Sequence, residues 1–471
     1  MTNPATPLDP NAVRVLAIST YELGHQPLIL ARLAAIFKSA AIKYSLCDNS
    51  VANRSFTTRD DFLLPDQEPP THIFISVPMH TATQLGRTVA DRARAIFGSS
   101  VQIIAVGLYS KVALSASDAF DAGILSDDKD RILEVLGLDL AQPSAFAQES
   151  NLPDRSGLPG LPNYAHLLAE GEKKLVGYVE TTIGCAHLCK HCPVPVVFHG
   201  KFKAVPLEVV IAQINQLYEE GARHITFGDP DFLNGPTHAL KIARELHRAH
   251  PDLTFDATVK IEHVLEHPGI WPELRNLGLQ FIVSAFEHTS DLILSKLGKG
   301  HTREDLISAL GLLRNAGIEV RPSLMPFTPW TDREGLIDLI EFLFDYDLIE
   351  SVDPVQLSIR LLLPLGSLVL MDEETEIGAW NPELLSYEWR NADPIIDELQ
   401  AELADIAENS QDSELDTETI FKTMRESIYR HFDLPIPARQ FSAARCAEKP
   451  RLSESWFCCA EPTKIQRNRL G

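Results

Sequence analysis

The sequence is poor in positive charge. Its 471 residues carry 42 Lys and Arg against 65 Asp and Glu, a formal net of −23, and no basic run interrupts the deficit. A surface built to neutralise phosphates or anionic lipid is therefore not expected, and neither nucleic acid nor a membrane surface is an expected partner. No uninterrupted apolar stretch reaches the roughly 18 residues of a spanning helix. The start, Met1-Thr2-Asn3-Pro4-Ala5-Thr6-Pro7, offers neither a positive n-region nor an apolar h-region, so a secretory signal is not expected. The reading is a cytoplasmic protein with reduced thiols. Cysteine is scarce, seven in all, and too unevenly placed for a disulfide framework. No G-x-G-x-x-G follows the first apolar run, which excludes a dinucleotide fingerprint there.

What is present has order along the chain. At about 100–200 residues per domain the length implies roughly three domains. Residues 13–19, 72–77 and 101–107 are short apolar runs rich in β-branched residues, separated or followed by amphipathic stretches near 27–40, 81–97 and 129–137. Strands alternating with helices imply a parallel sheet covered on both faces, so residues 1–140 read as a doubly wound α/β domain. Residues 141–174 are rich in Pro, Gly, Ser and Asn and read as a linker. From 175 to 365 the alternation resumes. Candidate strands are 176–181, 223–228, 253–259, 280–285, 318–324 and 355–361, with helical patterns such as 206–220 and 302–316 between them. Six such units make an open, partial barrel, whose functional residues should gather at the C-terminal ends of the strands. Residues 366–471 read as an acidic helical region. Between Asp372 and Thr419, sixteen Asp and Glu face the single basic residue Arg390, a local net of −15. That segment reads as a solvated helical face, with a docking surface for a basic partner as the alternative.

Six of the seven cysteines fall into two groups of three. Cys47 stands alone beside an apolar stretch and reads as a small buried hydrophobe. Cys185, Cys189 and Cys192 form C-x3-C-x2-C a few residues after the first barrel strand. Three thiolates on one tight loop can ligate three irons of a [4Fe–4S] cube and leave the fourth without a protein ligand. An open metal site is the catalytic kind. Zinc is the structural alternative, with His187 or His191 as a fourth ligand.

The triad in its context resembles the radical S-adenosylmethionine (SAM) superfamily, whose signature is C-x3-C-x2-C after the first strand of a partial (β/α)6 barrel. The resemblance covers about residues 175–360. It implies that the open iron binds the amino and carboxylate groups of SAM, and that one electron from the reduced cluster cleaves SAM to methionine and a 5′-deoxyadenosyl radical. A flavodoxin- or ferredoxin-like reductant would supply that electron. No protein side chain abstracts an unactivated hydrogen atom, so the cofactor brings the chemistry and the chain positions it. Further positions are carried over with departures. Gly228 and Asp229 stand where the family has a Gly-Gly-Glu type motif for the SAM amino group, with a carboxylate one methylene shorter. His191 takes an often aromatic position near adenine. Ser284 and Glu287, followed by Leu297-Gly298-Lys299-Gly300-His301, resemble the stretch near the SAM ribose and carboxylate. Lys260, with Glu262, ends the third strand and would line the same cavity. For each of these polar residues, surface solvation is the alternative.

The chain closes on Cys458-Cys459-Ala460-Glu461-Pro462, which resembles the CUAEP/CCAEP-tail radical SAM proteins, some of which carry selenocysteine at the position of Cys459. A selenolate is ionised at neutral pH where a free thiol is mostly not, so the exchange implies chemistry at Cys459. Cys458 and Cys459 are read as catalytic thiols; an auxiliary cluster with Cys446, or inert thiols, are the alternatives. In many radical SAM enzymes a doubly wound domain before the barrel binds cobalamin, and this layout is similar. The usual D-x-H-x-x-G loop is here Thr20-Tyr21-Glu22-Leu23-Gly24-His25-Gln26, which does not match, and His80 is an unsupported substitute. Either the fold persists without cobalamin or cobalamin binds without a protein histidine. The expected function is reductive SAM cleavage acting on an unknown small-molecule or peptide substrate, assisted by the tail thiols. The alternatives are a cobalamin-dependent radical methyltransferase or sulfur- or selenium-inserting enzyme, and a non-catalytic iron–sulfur or zinc protein.

Overall fold

The computed structural model describes residues 12–138, 152–372, 375–411, 415–439, 449–454 and 460–470. The chain divides into two compact units. One comprises Met1–Tyr164 with Trp380–Ser386 and Glu461–Gly471; the other comprises Ala165–Ala379 with Tyr387–Ala460. Among the described residues, no helix is long and apolar enough to cross a membrane.

In the first unit, β1 (Arg14–Ser19), β2 (Lys43–Asp48), β3 (His72–Ser76), β4 (Gln102–Val106) and β5 (Ala122–Ile124) form one sheet in the order β2-β1-β3-β4-β5. All pairings are parallel. β1 and β3 are almost wholly buried, as strands of a parallel sheet covered on both faces must be, and their near-continuous apolar sequence follows from that. Val15, Ala17, Phe74, Ile104 and Val106 join Leu33 and Phe37 of the helix Leu28–Ser39 in the core. Gly86, in the helix His80–Phe97, allows a close approach to the sheet: a Cβ there would lie 2.9 Å from Ile75. The residues after 151 are tied into this unit, not free between domains. Asp154 pairs with Lys38 at 2.8 Å, Gln26 donates to the Pro159 carbonyl at 2.9 Å, and the Tyr164 hydroxyl donates to Asp48 at 2.7 Å.

The second unit begins with β6 (His166–Ala169) and β7 (Glu172–Val179), an antiparallel hairpin. Its two-residue turn puts Glu170 and Gly171 at φ +54° and +74°, the conformation whose twist matches the strands. β6 corrects the linker expected over 141–174. After β7 come β8 (Thr182–Gly184), β9 (Phe202–Ala204), β10 (His224–Phe227), β11 (Thr254–Thr258), β12 (Leu279–Glu287) and β13 (Glu319–Leu324). The large sheet runs β13-β12-β11-β10-β7-β6, and the short Arg451–Leu452 strand pairs antiparallel with β6. β7 and β10–β13 are parallel, as a partial barrel requires. The sixth strand expected at 355–361 is a 3-10 helix, Pro354–Ser358, with a single parallel bridge from Phe327 to Arg360 beyond it. Pro354 has no N–H for a ladder, and the Gln356 side chain accepts the Leu324 N–H at 3.0 Å, the edge donor a strand would have used. The acidic helix Pro394–Ser410 and the helix Thr417–His431 belong to this unit. The acidic charge is partly met from within the unit, Asp397 pairing with Arg360 and Glu402 with Arg430.

Candidate active site

The three cysteines lie on the loop that leaves the C-terminal end of the first parallel barrel strand, β7. Pairing of β8 with β9 closes the base of the loop. Gly184, at φ +90°, turns the chain into Cys185, and a Cβ there would lie 2.5 Å from the Lys201 carbonyl oxygen. Only glycine takes that turn without strain. The Cys192 N–H donates to the Cys189 carbonyl at 3.2 Å, and Cys192 is the residue before the helix Pro193–Phe198. Asn234 clamps the other side of Cys185: its Oδ1 accepts the Ala186 N–H at 3.0 Å and its Nδ2 donates to the Gly184 carbonyl at 3.2 Å. The Lys190 N–H donates to the Leu297 carbonyl at 2.8 Å.

Cys185 and Cys189 are buried, Cys192 is half-buried, and none is in a disulfide. Burial pushes the Cys185 thiol up to about 11, with the Asp231 and Cys189 charges adding to it, and the Cys192 thiol up to about 12, with Cys189 and Cys185 adding to it. A cation bound at the loop would stabilise cysteines as thiolates, because the metal ligand is the deprotonated form.

Across from the cysteines lies a buried charge network. β12 bulges between Ala285 and Glu287, and Glu287 sits at φ +62°. This turns its carboxylate, which meets Lys299 Nζ at 3.0 Å and His191 Nε2 at 3.1 Å. Burial would raise the Glu287 carboxyl, but the Lys299 and His191 charges outweigh it and hold the carboxyl well below the ordinary range. Burial likewise opposes the Lys299 ammonium, and Glu287 keeps it raised. His191 Nδ1 is buried with no directed hydrogen bond among the described residues. Burial, then the Lys299 charge, lowers the His301 ring to about 4. Orphaned polar atoms in such a place are what a polar ligand satisfies.

The other expected residues are distributed more widely. Gly228 follows β10 under the Tyr178 ring, 2.0 Å from where a Cβ would be, so no side chain fits. Asp229 is buried and accepts from the Thr181 N–H at 3.0 Å, the Thr181 hydroxyl at 2.8 Å and the Thr182 hydroxyl at 2.5 Å. Burial outweighs these donors and raises its carboxyl to about 7. The Ser284 hydroxyl donates to the Val259 carbonyl at 2.7 Å. Lys260 Nζ pairs with Glu262 and lies 3.4 Å from His187 Nδ1. Cys446, Cys458 and Cys459 lie outside the described residues. The sequence reading missed Asn234, Asp231 and His263, which carry no motif; their signal was position, on the loops after the second and third parallel strands.

Residues 179–343 match the radical SAM superfamily. The chain carries a radical SAM domain. An uncharacterised methyltransferase from Pyrococcus horikoshii is 25% identical over 224 residues, 47% of this chain and 46% of that protein. The hopanoid C-2 methylase of Rhodopseudomonas palustris is 24% identical over 211 residues, 43% of this chain and 39% of the methylase. The ribosomal protein uS12 methylthiotransferase RimO of Clostridium perfringens is 23% identical over 36% of this chain and 40% of its own. The matches thus span under half the length of each of these relatives. In fold, the chain is similar to the cobalamin-dependent SAM radical enzyme OxsB, with a TM-score of 0.62, 15% identity and coverage of 88% of this chain and 72% of that one. It is also similar to the radical SAM methyltransferase TsrM of Kitasatospora setae, with a TM-score of 0.54, 16% identity and coverage of 71% and 72%.

A radical SAM domain is an enzyme's domain and implies a [4Fe–4S] cluster and SAM. Three free cysteines on one tight loop, with the buried polar groups His191, Glu287 and Lys299 nearby, fit both. Cobalamin held by a histidine fits the first unit less well. Its ligand crevice should lie where the strand order reverses, at the C-terminal ends of β1 and β3. There Glu22 accepts from Ser19 at 3.3 Å and Ser76 at 2.7 Å. His80, just beyond β3, is buried with Nε2 3.0 Å from Glu461 and 3.1 Å from Gln84. The imidazole at His80 is engaged by the tail glutamate and is not free to ligate cobalt.

Proposed function

We propose that the chain is a radical SAM group-transfer enzyme, moving a one-carbon or sulfur unit onto an unactivated carbon of a small-molecule or peptide substrate. The observation that carries this reading is the joining of a doubly wound unit to a partial barrel with a three-cysteine loop, the fold shared with OxsB and TsrM. Relatives named as methylases and methylthiotransferases support the transfer class over reductive cleavage alone. When bound, the cluster and SAM supply a carbon-centred radical able to take a hydrogen atom that no side chain could remove. In this reading Cys185, Cys189 and Cys192 hold three irons, and the Gly228 backbone, His191, Glu287 and Lys299 orient SAM by charge and hydrogen bonding. An external one-electron reductant starts each turnover. Cys458 and Cys459 are proposed as thiol partners of the substrate, and the Cys-Cys-Ala-Glu-Pro tail as a mark of the CUAEP/CCAEP-tail family. Glu461, which follows them in the tail motif, is held by His80, by Gln84 at 2.8 Å and by Arg467 at 3.0 Å.

The test is anaerobic reconstitution with iron, sulfide, dithionite and methyl-labelled SAM. The wild type should turn brown and release 5′-deoxyadenosine, and Cys185→Ala should do neither. S-adenosylhomocysteine formed on adding hydroxocobalamin would identify methyl transfer. Absence of both chromophore and 5′-deoxyadenosine in the wild type would overturn the reading.

A further inference from the structure

A second constellation of metal-binding side chains lies beside the cysteine loop, in the same unit. His187 sits within the loop, between Cys185 and Cys189. Asp231 follows β10, and His263 is in the helix Ile261–Glu266 after β11. One ligand atom from each lies within 4.8 Å of the other two. Asp231 Oδ2 is 3.3 Å from His187 Nε2 and 2.9 Å from His263 Nδ1. With zinc–nitrogen and zinc–oxygen bonds of about 2.0–2.2 Å, ligand atoms around one ion stand about 3.0–3.5 Å apart. One edge, 3.3 Å, already has that length, and a second, 2.9 Å, lies just short of it. The imidazoles face each other with ring centres 4.5 Å apart.

His187 Nε2 and His263 Nδ1 converge on the same carboxylate oxygen, Asp231 Oδ2, which each can meet as a hydrogen-bond donor or, deprotonated, across a shared ion. The Asp231 side chain is 1% exposed. Its other oxygen is taken by the Leu233 N–H at 2.9 Å, which fixes the orientation of the carboxylate. On the far side of the His187 ring, Nδ1 lies 3.7 Å from Glu262 Oε2. Lys260 Nζ, 3.4 Å from the same Nδ1, is itself paired with Glu262.

We propose that His187, Asp231 and His263 bind one divalent transition-metal ion, zinc or ferrous iron, distinct from the ion set held by the three cysteines. Two imidazoles and one carboxylate suit either ion and leave positions open for a further ligand. The ion would pin the cysteine loop to the loops after the second and third parallel strands. The inference does not rest on the group-transfer reading.

The test uses the full chain with its iron–sulfur cluster reconstituted anaerobically, loaded with one equivalent of zinc and examined at the zinc K-edge. The expected first shell contains nitrogen and oxygen only, at about 2.0–2.2 Å, with no sulfur near 2.3 Å. His263→Ala should weaken zinc binding at least tenfold while acid-labile sulfide per chain stays unchanged. His263→Cys should retain zinc and add one sulfur to its shell, a gain of signal that a misfolded chain would not give. Ferrous iron alone, added in place of zinc, should give a high-spin ferrous Mössbauer doublet separate from the cluster and lost in His263→Ala. A sulfur-containing zinc shell in the wild type, or full zinc retention by His263→Ala, would overturn the proposal.

Discussion

Glu287 and Lys299 are the pair whose disruption is most informative. Their side chains are 7% and 3% exposed and 3.0 Å apart. At an effective dielectric of about 20, unit charges at that separation attract by about 5 kcal/mol, part of which is spent on desolvation. Removing one partner of a buried pair leaves the other uncompensated and costs about 3–5 kcal/mol. Glu287→Gln and Lys299→Gln should each destabilise the chain by about that much. The double variant should lose less than the two losses together, by about 2–3 kcal/mol. Urea unfolding of the reduced, cluster-free chain, followed by tryptophan fluorescence, reads the stability. Binding of SAM to the reconstituted chain, followed by equilibrium dialysis, reads the site. The double variant should regain stability without regaining SAM affinity, which separates a positioning role from a purely structural one. Losses that add within about 0.5 kcal/mol would show the two charges to be uncoupled and refute the reasoning.

Gly184→Ala forces a side chain into φ +90° against the Lys201 carbonyl, a strain of about 1–3 kcal/mol at the entrance to the cysteine loop. Asn234→Ala removes two hydrogen bonds on either side of Cys185. Both variants should hold markedly less iron per chain after reconstitution, and wild-type iron content in either would contradict the clamp. Glu461→Gln tests the tail contact in the first unit. Burial opposes ionisation of Glu461, but the hydrogen bonds from His80 and Gln84 and the Arg467 charge hold its carboxyl below the ordinary range. A depressed carboxyl stabilises the folded chain above the unfolded value of about 4.3 and loses that contribution as pH falls through the folded value. With the side chain 49% exposed, the expected loss at pH 7 is at most about 1 kcal/mol. Thermal melts of wild type and variant should converge near pH 3, and a gap constant from pH 7 to pH 3 would count against the contact.

Much of this protein is written in local pattern. The apolar runs at 13–19, 72–77 and 101–107 became β1, β3 and β4, and the stretch at 302–316 became the helix Arg303–Asn315. Such segments are legible because burial on one or both faces leaves a period in the sequence. The cysteine spacing was legible for the same reason: three ligands on one tight loop must lie close in the chain. β6 was missed because its strand character comes from pairing with β7, not from its own composition. The sixth strand was expected where Val355, Leu357 and Ile359 alternate, yet Pro354 and the Gln356 side chain redirect that segment.

The site's electrostatics were not legible in sequence. Asp231, His187 and His263 come from three separate segments, each following a parallel strand, and they meet only because those strands bring their C-terminal ends to one side of the sheet. Glu287 faces Lys299 and His191 through a bulge that no residue pattern announces. His80 and Glu461, 381 residues apart, share a hydrogen bond. By itself the sequence determined the α/β class, most strands and the three-thiol loop, all of which depend on neighbours in the chain. Only the tertiary structure decided which charges are buried together, because a side chain's partner and its desolvation are set by contacts between distant segments.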